Sequence, residues 1–201
     1  YFTKGLRDET WYFYNSNGNV VQVTEYHLDT LNGRYETYFA NGSDRTKGEY
    51  KNGKKHGQWT WSAENQNLEM SGDFVDGEQH GEWRYYFSSG ELSYIAYFEQ
   101  GIRSGDWTYY FRDGSLFKKG SFKDGKKTGL WITNYENGNT LMQGFYIKGQ
   151  EQGEWKNYWE NGALKNRAFF KDGQLNGKWK SSSPDGITLI EGSYKNGLKN
   201  K

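Results

Sequence analysis

The chain has 201 residues, a formal net charge of +1, no cysteine and a single proline. The lack of cysteine excludes disulfides and thiolate-held metals, and the balanced charge argues against nucleic acid, which calls for a basic stripe. No stretch reads as a transmembrane helix or a signal peptide. Hydrophobic residues make up 33% of the chain, a share that leans towards disorder. Aromatic residues reverse that reading at 19%, because each ring buries far more area than an aliphatic side chain and can build a core without many Leu, Ile or Val.

From the N-terminus onward one aromatic position recurs every 24 residues, at Trp11, Tyr35, Trp59, Trp83, Trp107, Trp131, Trp155 and Trp179. The glycines keep the same period. Counted from this register they stand six residues before it (Asp29 is the one exception), two before, seven after (Gln66 is the exception), and eleven before, where Ala96 and Ala168 replace two of them. Those four columns hold all 27 glycines. A fixed period without insertions means eight units of one repeat, an array spanning 1–201 as a single domain with incomplete units at both ends. The start at Tyr1 and the end at Lys201, both inside a unit, read as a fragment or a processed form.

The unit at 81–104 shows the expected elements in order. Residues 82–87, Glu-Trp-Arg-Tyr-Tyr-Phe, form a strand. Ser89-Gly90 follows, where other units carry Asn-Gly or Asp-Gly, the signature of a two-residue type I′ hairpin turn. A second strand covers 91–98, then a longer loop, Glu-Gln-Gly-Ile-Arg-Ser-Gly, leads into the next unit. No segment has helical spacing. The short turn places Trp83 opposite Ala96, Tyr85 opposite Tyr94, Phe87 opposite Leu92 and Gly81 opposite Phe98. The next connection places Ala96 opposite Trp107 and Phe98 opposite Gly105. Large rings then alternate with Gly or Ala in two rows, with rings covering the strand glycines.

Side chains alternate between faces along a strand. The face holding the Trp and Phe/Tyr rows is nearly constant from unit to unit and is expected to be the packing face. The opposite face varies, and its rings form the candidate binding face: Tyr38, Tyr86, Tyr97, Tyr110, Phe145, Tyr158 and Phe169. The expectation is therefore an all-β fold, an elongated single antiparallel sheet of β-hairpins. About sixteen strands would give a coiled ribbon of roughly 75–80 Å. Tyr35, Gln66 and Asp29 depart from the pattern, so the second and third units are expected to be locally irregular.

Gly105, Trp107, Tyr109, Tyr110, Gly114, Phe122, Gly125 and Gly129 carry a resemblance. The pattern is similar to the MORN repeat, and within it to the bacterial variant grouped as YwqK-family antitoxins. The resemblance covers essentially the whole chain. It implies a hairpin array serving as a protein scaffold, a dimerisation rod or a lipid-binding module. In the bacterial group it implies an antitoxin.

No catalytic constellation is present, and the chain is read as non-enzymatic, with no cofactor and no metal. His56 and His80 share a loop position without a carboxylate pattern to complete a metal site, and no Gly-x-Ser-x-Gly elbow occurs. The expected function is a protein-interaction scaffold of antitoxin or immunity type. Its partner is another protein, and it acts in the bacterial cytoplasm or the cell envelope. The alternative is an envelope or surface module binding carbohydrate, lipid or another ligand. Membrane association is less favoured, since no Lys/Arg excess marks one face. Weak end-to-end self-association is expected through the terminal strands, which only Lys199, Asn200 and Lys201 guard.

Overall fold

The computed structural model describes residues 1–200; Lys201, the last residue of the charged C-terminal guard, lies outside the described residues. All regular structure among them is β-strand. The chain divides into two compact units, Tyr1–Ile102 and Arg103 onward.

In the first unit, β1 (Phe2–Thr3) and β2 (Leu6–Arg7) make a small hairpin of their own. The strands β3 (Glu9–Tyr14), β4 (Val20–His27), β5 (Thr30–Tyr38), β6 (Asp44–Lys51), β7 (Lys54–Ser62), β8 (Leu68–Val75), β9 (Glu78–Tyr86) and β10 (Leu92–Glu99) pair antiparallel in succession from β3 to β10. The second unit repeats the plan with β11 (Ile102–Tyr110), β12 (Leu116–Lys123), β13 (Lys126–Asn134), β14 (Thr140–Ile147), β15 (Gln150–Tyr158), β16 (Leu164–Lys171), β17 (Gln174–Ser182), β18 (Thr188–Lys195) and β19 (Leu198–Lys199).

The two connections in each repeat exchange the roles read from the sequence. At the connection seven residues after the Trp register only the glycine has positive φ, 82° at Gly42 after Asn41, 83° at Gly114 after Asp113 and 106° at Gly90 after Ser89. The Gly90 N–H donates to the Phe87 carbonyl at 2.8 Å, and the Phe87 N–H donates to the Glu91 carbonyl at 2.8 Å. That is a type I turn closed by a left-handed glycine, a three-residue loop, and it makes Leu92 face Tyr86 instead of Phe87. The Asn or Asp stands there for its side-chain oxygen: Asn41 Oδ1 accepts the Ser43 N–H at 2.9 Å and Asp113 Oδ1 accepts the Ser115 N–H at 2.8 Å.

The connection expected to be a longer loop is the two-residue type I′ turn. Its central pairs have positive φ at both residues: Asn52-Gly53 at 51° and 78°, Asp76-Gly77 at 52° and 89°, Asp124-Gly125 at 51° and 73°. The strands therefore run on through the Lys-Lys-His and Lys-Lys-Thr stretches. Each such glycine also donates its N–H to the previous repeat, as Gly77 does to Lys55 O at 2.9 Å and Gly149 to Lys127 O at 2.8 Å.

Pairing across the first turn follows expectation: Trp83 faces Ala96, Tyr85 faces Tyr94 and Gly81 faces Phe98. Across the type I′ side it departs from expectation. Lys119 faces Ile132, but Ser121 faces Thr128 and Phe122 faces Lys127. A bulge adds two residues to the Trp-bearing strand, and the same shift recurs at β4/β5, β6/β7, β8/β9, β14/β15 and β16/β17. The glycine two before the Trp sits in this bulge with positive φ, 69° at Gly81 and 68° at Gly129. It therefore has a ring opposite it on one neighbouring strand only.

The bulge also explains the tryptophan. Trp59, Trp83, Trp131 and Trp155 donate their indole N–H to Glu49 O, Asp73 O, Ser121 O and Phe145 O at 3.1–3.3 Å. Each ring lies flat on the glycine one residue earlier. A Cβ on Gly48, Gly72, Gly120 or Gly144 would come within 2.1–2.3 Å of the indole, so these glycines exist for close approach. Trp59 and Trp83 are only 1% exposed. Phe and Tyr rings meet the tryptophans edge to face, as Phe74 with Trp83 at 5.1 Å and 88°, and Phe122 with Trp131 at 5.2 Å and 87°. This ring row is the core.

The three departures from the pattern cost no register. Tyr35 pairs with Gly48 as a tryptophan would. Gln66 takes the glycine's left-handed place at φ 70° and keeps the turn bond to Ala63 O. Leu28 and Asp29 form a type I′ turn with φ 48° and 64°, while Asp29 Oδ1 accepts from Arg7 Nε at 2.8 Å.

Candidate interaction surface

The seven candidate rings do not form one patch. Tyr38, Tyr86, Tyr110 and Tyr158 are each the last residue of a strand, beside a type I turn. All four are half-buried. Tyr38 and Tyr86 lie four strands apart, about 19 Å. Tyr97 faces Glu82, Phe169 faces Glu154 and Phe145 faces Leu130, so no candidate ring faces another in register.

In the first unit two rings of this face, Tyr38 and Tyr97, are bonded to carboxylates. The Tyr38 hydroxyl donates to Glu36 Oε2 at 2.5 Å, and this carboxylate, together with burial, pushes the phenol up to about 12. The Tyr97 hydroxyl donates to Glu82, which also accepts from Arg84 Nε at 2.7 Å. Those two donors, the tyrosine first, hold the Glu82 carboxyl below the usual range. Arg34 lies 3.8 Å from both Glu25 and Glu36. His56 stands opposite Glu49, and its Nδ1 is buried without a partner; His80 faces Asp73. Among the described residues no group of three or more His, Cys, Asp and Glu is placed to hold a metal.

The second unit carries an apolar cluster on the same face. Leu130 and Phe145 are directly paired yet 41% and 52% exposed, and Ile132 stands two residues along β13 from Leu130. Beside them runs a shallow groove lined by Asp106, Thr108, Lys119, Ser121, Leu130 and Ile132. The Tyr158 hydroxyl accepts at 3.2 Å from Nε2 of Gln143, the residue paired with Ile132. Leu130 and Ile132 were missed in the sequence reading, which looked for rings. Their columns carry the signal: the same positions hold Glu82 and Arg84, Asp106 and Thr108, and Glu154 and Lys156 in other units.

A second missed feature lies on the packing face. The bulge turns the residue four before the Trp towards the ring row, and there Lys55 Nζ sits 4.4 Å from the Trp59 centroid and Lys127 Nζ 4.7 Å from Trp131. Arg103 covers Phe122 at 4.6 Å and Arg7 covers Tyr26 at 4.1 Å. Burial lowers the Lys55 ammonium pKa.

The family model of the MORN repeat variant matches five successive stretches, residues 79–100, 103–124, 127–148, 151–172 and 175–196. The chain belongs to the MORN repeat variant family. Arrays of this kind are in general protein- or membrane-binding modules. No curated protein matches the chain. Among solved structures, a chain in the crystal structure of a GtfA/B complex bound to UDP and GlcNAc is 16% identical, covering 54% of this chain and 21% of that one, with a TM-score of 0.23. A chain in the crystal structure of TcdB2-TccC3-Cdc42 is 12% identical, covering 93% and 13%, with a TM-score of 0.24. The MORN chain thus spans about a fifth or less of the length of these solved chains, and the likeness is too slight to carry an argument.

Proposed function

We propose that this MORN array is a non-enzymatic scaffold that binds another protein through the variable face of its second unit. The observation that carries the reading is the uncovered Leu130–Phe145 pair beside Ile132, with Leu130 at a position where every other unit has a charged or polar residue. Exposed apolar clusters rimmed by polar groups mark interaction sites, and Asp106 and Lys119, which line the groove beside Leu130 and Ile132, supply polar groups of both signs. An antitoxin or immunity role, sequestering a protein partner, is the specific form of this reading that the family resemblance favours. Asp106 and Glu154 interleave with Lys119 and Lys156 on this face, a mixed pattern that suits the complementary charges of a protein partner. The test is affinity capture from the native organism with the parent chain, a Leu130→Glu/Phe145→Glu variant and a Tyr86→Ala/Tyr97→Ala variant. Loss of the captured partner only with the first variant is expected. Equal capture by all three, or loss only with the second, would overturn the reading.

A further inference from the structure

Above Trp59 and Trp83 the next ring along the strand, Trp61 or Tyr85, closes the stack at 5.7 and 6.1 Å. Trp131 has no such ring, because the corresponding residue is Thr133. Lys118, from the neighbouring strand and paired with Thr133, fills the place instead. Its Nζ lies 5.3 Å from the Trp131 centroid, and Lys127 Nζ approaches the same indole at 4.7 Å and Tyr146 at 4.7 Å. Two half-buried ammonium groups thus share one indole. Among the described residues no carboxylate forms an ion pair with either. Glu151, placed one unit on where Lys127 stands, is engaged by the Tyr146 hydroxyl.

An indole quadrupole attracts a cation without neutralising it, so two like charges here leave uncompensated positive charge over an apolar floor. Burial, and then Lys127, lower the Lys118 ammonium pKa, the direction expected of a desolvated ammonium beside a like charge. An oxyanion between the two ammoniums would gain charge-assisted hydrogen bonds from both sides.

We infer that Lys118 and Lys127, standing over Trp131, form a binding site for a carboxylate of an acidic peptide segment, on the sheet face opposite the Leu130–Phe145 cluster. The site stands independently of the partner surface proposed above. A carboxylate reaches it as a single side chain. Both ammonium groups are half-buried in the ring row, a depth that one extended side chain reaches and a flat lipid surface does not. The experiment uses the full chain with ¹³C-labelled lysine, titrated with a tetraglutamate peptide, with inorganic phosphate, and with phosphatidylserine vesicles. The peptide is expected to shift the Lys118 and Lys127 resonances saturably while Lys123 and Lys126, at the adjacent turn, stay put. Lys127→Gln is expected to weaken the Lys118 response about tenfold, and Lys127→Arg to preserve it. Equal, non-saturating shifts at all four lysines would overturn the site. A response to phosphate or vesicles but not to the peptide would overturn the carboxylate assignment.

Discussion

The two units share one face and differ on the other. On the packing face, Gly72 under Trp83 and Gly120 under Trp131 are the same device, down to the indole bond across the bulge. On the variable face the first unit engages many of its polar groups with one another, with Tyr38 on Glu36, Tyr97 and Arg84 on Glu82, and Arg34 between two acids, and its uncovered rings, Tyr12 and Tyr14, stand on its first long strand. The second unit has ion pairs at Glu154 but leaves Leu130 and Phe145 uncovered. Stability here is written into close approach and turn geometry, which tolerate little change. The opposite face can change without touching them.

The largest expected effect tests the shared face. Gly72→Val and Gly120→Val should each cost about 3 kcal/mol, because the new side chain must displace an indole pinned from both sides. Urea unfolding of the two variants should give matching losses; a difference above about 1 kcal/mol would mean the units are not held by the same contact. Gly192→Val is the internal control, since Lys199 Cε at 3.6 Å is all that a Cβ there would meet. Next in size, Trp59→Phe and Trp155→Phe should each lose about 2 kcal/mol from the missing indole bond and lost ring area.

A smaller effect is confined to the first unit. The folded-state Tyr38 pKa, about 12 against the ordinary 10.0, is raised. Its contribution is therefore fully present below pH 10 and lost as pH rises from 10 towards 12. A Tyr38→Phe variant should show a shallower decline in stability over that window, and an identical decline would discount the Glu36 contact. Smallest of all, Gln66→Gly should stabilise the chain by about 0.5 kcal/mol, because it removes a side chain from the left-handed region. Thermal unfolding would register this as a slight rise in Tm.

The repeat, the all-β class and the division into a constant and a varying face were legible because they rest on columns: Trp, Gly and Phe/Tyr recurring at one spacing. The turn types were not. Asn-Gly suggested positive φ at both residues, whereas the asparagine side chain serves the turn by accepting the N–H two residues on. The bulge left no mark of its own either, since glycine two before the Trp fits a ring-covered strand and a kinked one equally well. With the bulge went the cation row, because only the shifted register carries Lys55 and Lys127 over the rings. The apolar cluster was readable in principle. Leu130 and Ile132 are ordinary residues, conspicuous only against Glu82, Arg84 and their counterparts.

The bond from each type I′ glycine to the repeat before it has a kinetic meaning. Gly77 reaches back to Lys55, a separation of 22 residues, and at the opposite margin Asn161 Nδ2 donates to Pro184 O across 23. These are the longest reaches among the contacts described above, so each new repeat docks on the one just formed with little loop entropy to overcome. Within either unit the chain should fold by accretion, one hairpin templating the next. A growing chain emerging from the ribosome would therefore add a finished repeat for every 24 residues made, without waiting for its far end.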